Sequence, residues 1–288
     1  MMTVGIIGLG LIGGSLGRAL LAKTDYVVYG RDVDENTMLK AHIAHAITDE
    51  LTDERLGEVD VLVFAVNPRI AIALMDSVCP LLKDGATVTD CCGNKRNVVK
   101  KMEQMHVSYP KLGFIGAHPM AGREFSGIDH STAKLFEHAF TVLVPVHSGI
   151  EDFVKVKSLY LAAGCDGVQL ATAAEHDEMI AYTSQLAHVL SSSYVKNPLS
   201  ASHAGYSAGS FRDLTRVAKL DPKMWTELFC DNADYLCGQI QDVIDRLTEY
   251  RDAIQKKDEE ALYRLLKEGT ERKRDAENAL KEKKKENV

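Results

Sequence analysis

The chain has 288 residues, of which 45% are hydrophobic and 26% are charged, and its formal net charge at pH 7 is −7. This composition is typical of a soluble globular protein with room for two domains, and the acidic balance argues against nucleic acid or a membrane surface as a partner. No apolar stretch reaches the roughly 20 residues that cross a bilayer, and the first predicted strand begins too early for a signal peptide, so we expect a cytoplasmic protein. The six cysteines show neither a CxxC pair nor zinc-ligand spacing, so no metal site is expected.

The chain opens with a glycine-rich turn between two predicted strands. A β-branched strand from Val4 to Ile7 leads directly into Gly8-Leu9-Gly10-Leu11-Ile12-Gly13, and an Ala/Leu-rich segment through Leu21 is typical of a helix. A second strand, Tyr26 to Tyr29, is followed by Gly30-Arg31-Asp32. Strand, glycines, helix and second strand together predict a dinucleotide-binding βαβ unit.

Each residue of this unit has an expected role toward a dinucleotide. Gly8 makes the tight turn, Gly10 lets the backbone approach the pyrophosphate, and Gly13 lets the helix pack closely on the strand. Asp32 lies 19 residues after Gly13, where a carboxylate accepts hydrogen bonds from the adenine ribose and repels a 2′-phosphate. We therefore predict NAD, although Arg31 leaves NADP open because it could stack on adenine or neutralise that phosphate.

Strands and helices continue to alternate to about residue 170, which is typical of a doubly wound, mostly parallel sheet. Further strands are predicted at 61–66, 86–90, 114–117, 140–144 and 167–170, with helices at 70–78 and 152–163. Ala65 and Val66 end the strand that follows the βαβ unit, and we count both among the cofactor-binding residues.

The second part of the chain has a helical pattern. Helices are predicted at 173–195, 222–255 and 259–281. A heptad seam that we interpret as partly intersubunit consists of Leu236, Ile240, Val243, Leu247, Tyr250 and Ile254. The predicted fold class is an α/β Rossmann domain (residues 1–170) followed by an all-helical substrate-binding and dimerisation domain (residues 171–288), with the catalytic cleft between them.

One histidine follows a predicted strand in the first domain. His118 stands in Gly116-Ala117-His118-Pro119-Met120-Ala121-Gly122, at the carboxyl end of a strand, where doubly wound sheets place functional residues. Hydride transfer from a carbinol carbon needs a base for the hydroxyl proton, and imidazole has a suitable pKa. His118 is the predicted catalytic residue.

A second group of polar residues lies in the helical part. His176, Ser184 and His188 would share one face of a regular helix. Arg212 and Arg216, four residues apart with Asp213 between them, would form a clamp for substrate carboxylates; the alternative is a solvated face with local salt bridges.

Three segments resemble the prephenate dehydrogenase family over nearly the whole chain: GLGLIGGSLGRAL from Gly8, AHPMAGREFSG from Ala117 and SFRDLTRVAKLDPKMW from Ser210. The resemblance implies NAD-linked oxidative decarboxylation of prephenate to 4-hydroxyphenylpyruvate, or of arogenate to tyrosine, and a dimer built through the helical domain. It implies that His118 takes the proton of the ring hydroxyl, that Arg216 binds a substrate carboxylate and that His188 and Ser184 lie on the substrate side. Arg212 stands where the family often has lysine.

The chain departs from the family pattern after the strand that ends at Asp90. The family commonly has Asp-x-Gly-Ser there, with a serine that helps to hold the ring hydroxyl, whereas this chain has Gly93 at the serine position. Asn94 or a water molecule could substitute, or His118 could work with one partner fewer.

Two other function classes remain as alternatives. A β-hydroxyacid dehydrogenase shares the layout but uses a catalytic lysine in the helical domain, where this chain has histidines, serines and Gln185. A catalytically silent NAD-binding sensor would have no need of His118 and two arginines in register. The sequence leaves the choice between prephenate and arogenate open.

Overall fold

The computed structural model describes residues 2–286, with side chains through residue 282. Contacts divide the chain into two compact units, Met1–Asn232 and Ala233–Val288. Among the helices in the described residues, none combines the length and the apolar character that crossing a bilayer requires.

The first unit is built around one β-sheet. Its strands in the described residues are β1 (Thr3–Ile7), β2 (Val27–Arg31), β3 (Asp49–Glu50), β4 (Val61–Phe64), β5 (Thr87–Asp90), β6 (Gly113–Pro119), β7 (Phe140–Val146) and β8 (Gly167–Leu170). They lie in the order β3-β2-β1-β4-β5-β6-β7-β8. All neighbours are parallel except β6 and β7, which are antiparallel. The predicted doubly wound, mostly parallel sheet is therefore confirmed.

Helices cover both faces of this sheet, as expected for strands that are hydrophobic on both sides. They are α1 (Leu11–Lys23), α2 (Glu35–Ile43), α3 (Asp53–Leu56), α4 (Pro68–Val78), α5 (Arg96–Ser108) and α6 (Ile150–Ala163). Helices α1, α2 and α6 contribute to one buried hydrophobic cluster, and α4 and α5 contribute to a second. The sheet therefore lies between two apolar layers, and its polar strand ends meet at the carboxyl edge.

The first unit continues with helices α7 (Ala173–Ile180), α8 (Leu186–Val195), α9 (Gly209–Thr215) and α10 (Pro222–Asp231). A π-helical segment, Ala181–Gln185, joins α7 to α8, so the helix predicted at 173–195 is not a regular α-helix. The helix predicted at 222–255 is also wrong as a single element, because α10 ends at Asp231 and the fully buried Asn232 separates it along the chain from the next helix.

The second unit contains two long helices, α11 (Ala233–Lys256) and α12 (Glu259–Glu286). The chain reverses at Lys257, whose φ of +53° is in the left-handed region, and the Asp258 carboxylate accepts the Ala261 amide at 2.9 Å. The Tyr250 hydroxyl donates to the carbonyl of Leu265 at 3.1 Å across the hairpin. The Rossmann-type domain followed by helices is confirmed as the fold class.

Candidate active site

The glycine loop after β1 has the geometry that a dinucleotide requires. Gly8 has a φ of +93°, and a Cβ there would lie 2.5 Å from the carbonyl oxygen of Ala65 and 2.5 Å from a methyl of Val66. A Cβ at Gly13 would lie 1.9 Å from the carbonyl oxygen of Gly8, so α1 packs directly on the end of β1. Only glycine fits these two positions without displacing backbone.

Gly10 differs from the other two glycines because the space around it is open. A Cβ there would have no neighbour within 4 Å among the described residues. Gly10 is also the N-cap of α1 and offers no side-chain acceptor to the amides of the first turn, Leu11, Ile12 and Gly13. A helix N-terminus with this open approach suits a phosphate.

Asp32 follows β2 and already interacts with the glycine loop. One carboxylate oxygen accepts the Leu9 amide at 2.8 Å, and the other accepts the Asp34 amide at 3.1 Å. Arg31 lies on the other side, where its guanidinium donates to the carbonyl of Leu51 at 2.7 Å and to Asp53 at 2.8 Å. The Nε and one Nη of Arg31 are therefore already used within the chain.

His118 lies at the carboxyl end of β6. A buried ion pair holds the backbone of Ala117, the residue before it. Lys95 and Asp90 pair with each other, and both side chains are fully buried. The Asp90 carboxylate accepts the Ala117 amide at 3.0 Å, and the Lys95 ammonium donates to the Ala117 carbonyl at 2.7 Å. The amide and the carbonyl of Ala117 are therefore both held by charged side chains.

The His118 imidazole meets a second histidine from α7. Nδ1 of His118 lies 2.9 Å from Nε2 of His176, and Nδ1 of His176 lies 2.7 Å from the Asp177 carboxylate. Burial, together with the nearby charge of Lys95, holds the pKa of His118 well below its ordinary value. Burial also lowers the pKa of His176, against the opposing effect of Asp177. Both imidazoles are therefore neutral at neutral pH.

Two of the predicted substrate-side residues lie together at the π-helical segment. The Nδ1 of His188 donates to the carbonyl of Ser184 at 2.9 Å, and the His188 ring stacks on Trp225 with centroids 3.8 Å apart. Burial, with a smaller contribution from the charge of Arg216, lowers the pKa of His188. His176 contacts His118 instead, so the single helical face predicted for His176, Ser184 and His188 does not describe their contacts.

The predicted arginine clamp does not form as a helical pair. Helix α9 ends at Thr215, so Arg216 lies in the following 3₁₀ turn, Arg216–Ala218, rather than one α-helical turn after Arg212. Arg216 forms an ion pair with Glu124 from the loop after β6. Arg212 is paired with Asp213 at 3.7 Å, and both side chains are largely exposed. For Arg212 and Asp213, the structure matches the alternative of a local salt bridge on a solvated face.

Sequence reasoning missed several residues that this site brings together: Asp90, Lys95, Glu124 and Asp177. The sequence gives weak signals for them. Asp90 and Lys95 flank the departure from the family pattern, and Glu124 lies six residues after His118 in a resembling segment. Nothing local identifies a lysine as fully buried, and nothing local pairs residue 118 with residue 176.

The fold and the histidine site define a Rossmann-type dehydrogenase. Family comparison is more specific. Residues 16–168 match the family model described as prephenate dehydrogenase, nucleotide-binding domain, and residues 172–268 match the model described as prephenate dehydrogenase, dimerization domain. The chain belongs to the prephenate dehydrogenase family, so the resemblance predicted from the three sequence segments is confirmed.

Individual relatives cover most of the chain. This chain is 31% identical to a cyclohexadienyl dehydrogenase of Zymomonas mobilis, over 92% of each chain. It is 30% identical to a prephenate dehydrogenase of Lactococcus lactis, over 93% of this chain and 76% of the relative. The crystal structure of prephenate dehydrogenase from A. aeolicus, in complex with hydroxyphenyl propionate and NAD+, superposes with a TM-score of 0.84 at 26% identity, over 96% of this chain and 98% of the other.

Proposed function

We propose that this chain catalyses the NAD-dependent oxidative decarboxylation of prephenate to 4-hydroxyphenylpyruvate. The observation that carries the proposal is His118, a neutral imidazole at the carboxyl end of β6 in the same unit as the glycine loop. The family and the ligands named for the A. aeolicus structure support it.

The residues of the first unit fit NAD. Gly10 and the amides of Leu11, Ile12 and Gly13 would hold the pyrophosphate, and Ala65 and Val66 would line the site beside Gly8. Each Asp32 oxygen has one backbone donor and keeps a lone pair for a ribose hydroxyl. When bound, the nicotinamide supplies the acceptor for the hydride.

His118 would act on the hydroxyl of the substrate ring. It takes or polarises the hydroxyl proton as the hydrogen on the same carbon departs as hydride, the ring loses carbon dioxide and becomes aromatic, and the proton returns to the phenolate oxygen. No net proton is consumed. Aromatisation supplies much of the driving force, so the protein mainly orients the substrate and stabilises the developing charge.

Arg216 is the proposed ligand of a substrate carboxylate, and His188, whose pKa the charge of Arg216 lowers, and Ser184 are the residues proposed on the substrate side. Arg216 pairs with Glu124, so the guanidinium is already placed to bind a carboxylate, and a substrate carboxylate would compete with Glu124 for it. Arg212 and Asp213 remain predicted contributors, and their exposure makes that contribution smaller than the one expected of Arg216.

A homodimer through the helical part is also proposed. Within the heptad seam on α11, Leu247 and Ile254 are 59% and 60% exposed in the single chain, and a second copy would cover such apolar side chains. The description of the second family model as a dimerization domain supports this assembly. We also propose that the boundary between the Rossmann domain and the helical domain lies at residue 170.

The test is a direct assay of the purified chain. Formation of reduced nicotinamide should require prephenate, and the product should be 4-hydroxyphenylpyruvate. Parallel assays with arogenate are needed because one relative is named a cyclohexadienyl dehydrogenase. If reduced cofactor forms with neither substrate, the proposed function is wrong; faster turnover with arogenate would replace prephenate as the substrate.

A further inference from the structure

The loop after β5 does not supply a hydrogen-bonding side chain at the position of the family serine. Gly93 has no side chain, and a Cβ built there would point at the methyl groups of Leu228, at 3.2 and 3.3 Å. A side chain at residue 93 would therefore begin against an apolar residue of α10.

Asn94, the candidate substitute, is occupied elsewhere. Its Nδ2 donates to the carbonyl of Leu228 at 2.8 Å, and its Oδ1 accepts from Nε2 of Gln185 at 2.9 Å. The Asn94 side chain is buried in this amide network, which continues from the Gln185 carbonyl to Asn232 at 2.8 Å. Its amide therefore stabilises the packing of α10 and the π-helical segment.

Helix α7 supplies the hydrogen-bonding partner of His118. His176 is 2% exposed, and its two ring nitrogens are used in opposite directions, Nε2 toward His118 and Nδ1 toward Asp177. The Asp177 carboxylate is itself fixed, because it accepts the Lys95 amide at 2.7 Å and the Arg96 amide at 3.0 Å. The three side chains thus form a continuous hydrogen-bonded row that ends on the backbone of the loop after β5.

The carboxylate at the end of this row decides where the protons lie. Asp177 is ionised, since hydrogen bonds from His176 and from the Arg96 and Lys95 amides bring its pKa below the ordinary value despite burial. An ionised carboxylate accepts, so Nδ1 of His176 carries a proton and its Nε2 is an acceptor. Nδ1 of His118 must then donate to that Nε2, and Nε2 of His118 holds the basic lone pair.

We propose that His176 and Asp177 are positioning residues that orient His118 and fix its basic tautomer, in a chain whose Gly93 supplies no serine for that purpose. The inference rests on the proposed function of His118 as the proton acceptor. In hydrolytic triads, a carboxylate hydrogen-bonded to the base sets the tautomer and orientation of that base; here His176 lies in that position beside His118, and Asp177 lies behind it.

The hydrogen-bonded row also affects how stable the His118 imidazolium is after His118 takes a proton. The charged and titratable groups that face it are Asp90 from β5, Lys95 from the loop before α5, and His176 and Asp177 from α7. An imidazolium at His118 keeps its hydrogen bond to Nε2 of His176, and Nδ1 of His176 donates its proton to the ionised Asp177 carboxylate. Replacing His176 by glutamine keeps an acceptor for that hydrogen bond but breaks the link through which the Asp177 carboxylate stabilises the imidazolium.

The test compares two replacements of His176 with a matched histidine outside the site. His176→Gln keeps an acceptor for His118 but loses the link to Asp177, and His176→Leu loses both. With prephenate and NAD, kcat should fall about 10-fold in the first variant and about 100-fold or more in the second, with KM changed by less than about twofold. In His176→Gln, the acidic limb of the kcat–pH profile should move to lower pH, because the His118 imidazolium loses its link to the Asp177 carboxylate.

The control is His106→Gln, because His106 is a half-buried histidine of α5 that stacks on His147 at 5.1 Å. It should keep the wild-type kcat and pH profile even if its melting temperature falls. Equal kcat and an unmoved acidic limb in His176→Gln, with wild-type enzyme active, would refute the positioning role while leaving the proposed function intact. Inactive wild-type enzyme would refute the proposed function instead.

A second variant tests the role assigned to α7 against the loop after β5. Gly93→Ser added to His176→Gln should not restore kcat, because the new Cβ lies against Leu228. Recovery to near wild-type turnover would show that residue 93 can orient His118, and would overturn the assignment to His176 and Asp177.

Discussion

Alanine substitutions at two glycines of the same loop should affect different properties. Gly13→Ala should lower the stability of the protein, whereas Gly10→Ala should weaken the binding of NAD. In Gly13→Ala, the new Cβ would lie 1.9 Å from the carbonyl oxygen of Gly8, whereas real Cβ atoms essentially never approach within 3.0 Å. Helix α1 must therefore shift by on the order of 1 Å, and overpacking of this kind costs about 1–3 kcal/mol. The helix propensity of alanine returns up to about 1 kcal/mol.

The net effect expected for Gly13→Ala is a loss of about 1–2 kcal/mol in the free energy of unfolding. For a chain of this size the melting temperature of the cofactor-free protein should fall by roughly 2–8 °C. Gly10→Ala should leave that temperature nearly unchanged, because its Cβ has no neighbour within 4 Å and its φ of −68° suits alanine. The weaker N-cap costs a few tenths of a kcal/mol to about 1 kcal/mol, and the reduced entropy of the unfolded chain offsets about as much.

Cofactor binding separates the two variants further. The Gly10 Cβ occupies the open approach to α1, so the Kd for NAD, measured by titration calorimetry, should rise at least about 10-fold, or about 1.4 kcal/mol. Thermal unfolding of the cofactor-free protein provides the stability readout. Wild-type NAD affinity in Gly10→Ala would show that the pyrophosphate does not pass over Gly10, and would refute the assignment of this loop.

Five further outcomes are expected. In His118→Asn, kcat should fall about 100-fold or more with KM nearly unchanged, and steady-state pH profiles should lose the acidic limb. Because the pKa of His118 is lowered, the wild-type enzyme should keep full kcat at pH 6.5 and lose activity only below it; a limb centred above pH 6.5 would contradict the burial argument. Arg216→Ala should raise KM for prephenate and lower kcat/KM by about 2 kcal/mol, roughly 30-fold; an unchanged KM would remove Arg216 from the binding site. Wild-type kcat/KM should be higher with NAD than with NADP because of Asp32, and the reverse preference would mean that Arg31, not Asp32, sets the choice of cofactor. Light scattering should give about twice the chain mass for the wild type, and Leu247→Glu should lower it; a monomeric wild type would leave Leu247 and Ile254 exposed and refute the proposed dimer.

The sequence predicted best what depends on short-range geometry. The turn at Gly8 and the close packing at Gly13 follow from residues within one βαβ unit, so spacing alone was sufficient to predict them. The alternation of strands and helices predicted the sheet for the same reason. The antiparallel pairing of β7 with β6 was not predicted, because either direction suits a strand that follows a long loop.

The helical part was predicted less well, because its irregularities arise from tertiary contacts. The π-helical segment at Ala181–Gln185 contains the Gln185 amide, which pairs with Asn94 and Asn232 from distant parts of the chain. Asn232 in turn interrupts the helix that periodicity extends through residue 255. Helical periodicity records which residues are apolar and is insensitive to a buried amide network.

The sequence identified His118 as the candidate catalytic residue but did not identify the residues that hold it. His118 was identified by its position after a strand, whereas its contact with His176 joins residues 58 positions apart. The predicted clamp of Arg212 and Arg216 assumed an uninterrupted helix, and the change to a 3₁₀ turn at Arg216 removed that register. The sequence also did not predict a second role of Asp32. Its carboxylate accepts the Leu9 amide and so holds the glycine loop, in addition to its predicted role toward the ribose.

The buried ion pair of Asp90 and Lys95 restricts how this chain can change during evolution. Loss of either partner alone leaves an uncompensated charge in the protein interior, which costs about 3–5 kcal/mol, a large part of the roughly 5–15 kcal/mol that stabilises a typical domain. Replacement of both by apolar residues of similar volume is often neutral for stability. A lineage could therefore reach an apolar version of this pair only through an intermediate of low stability, so the two charges are expected to be inherited together.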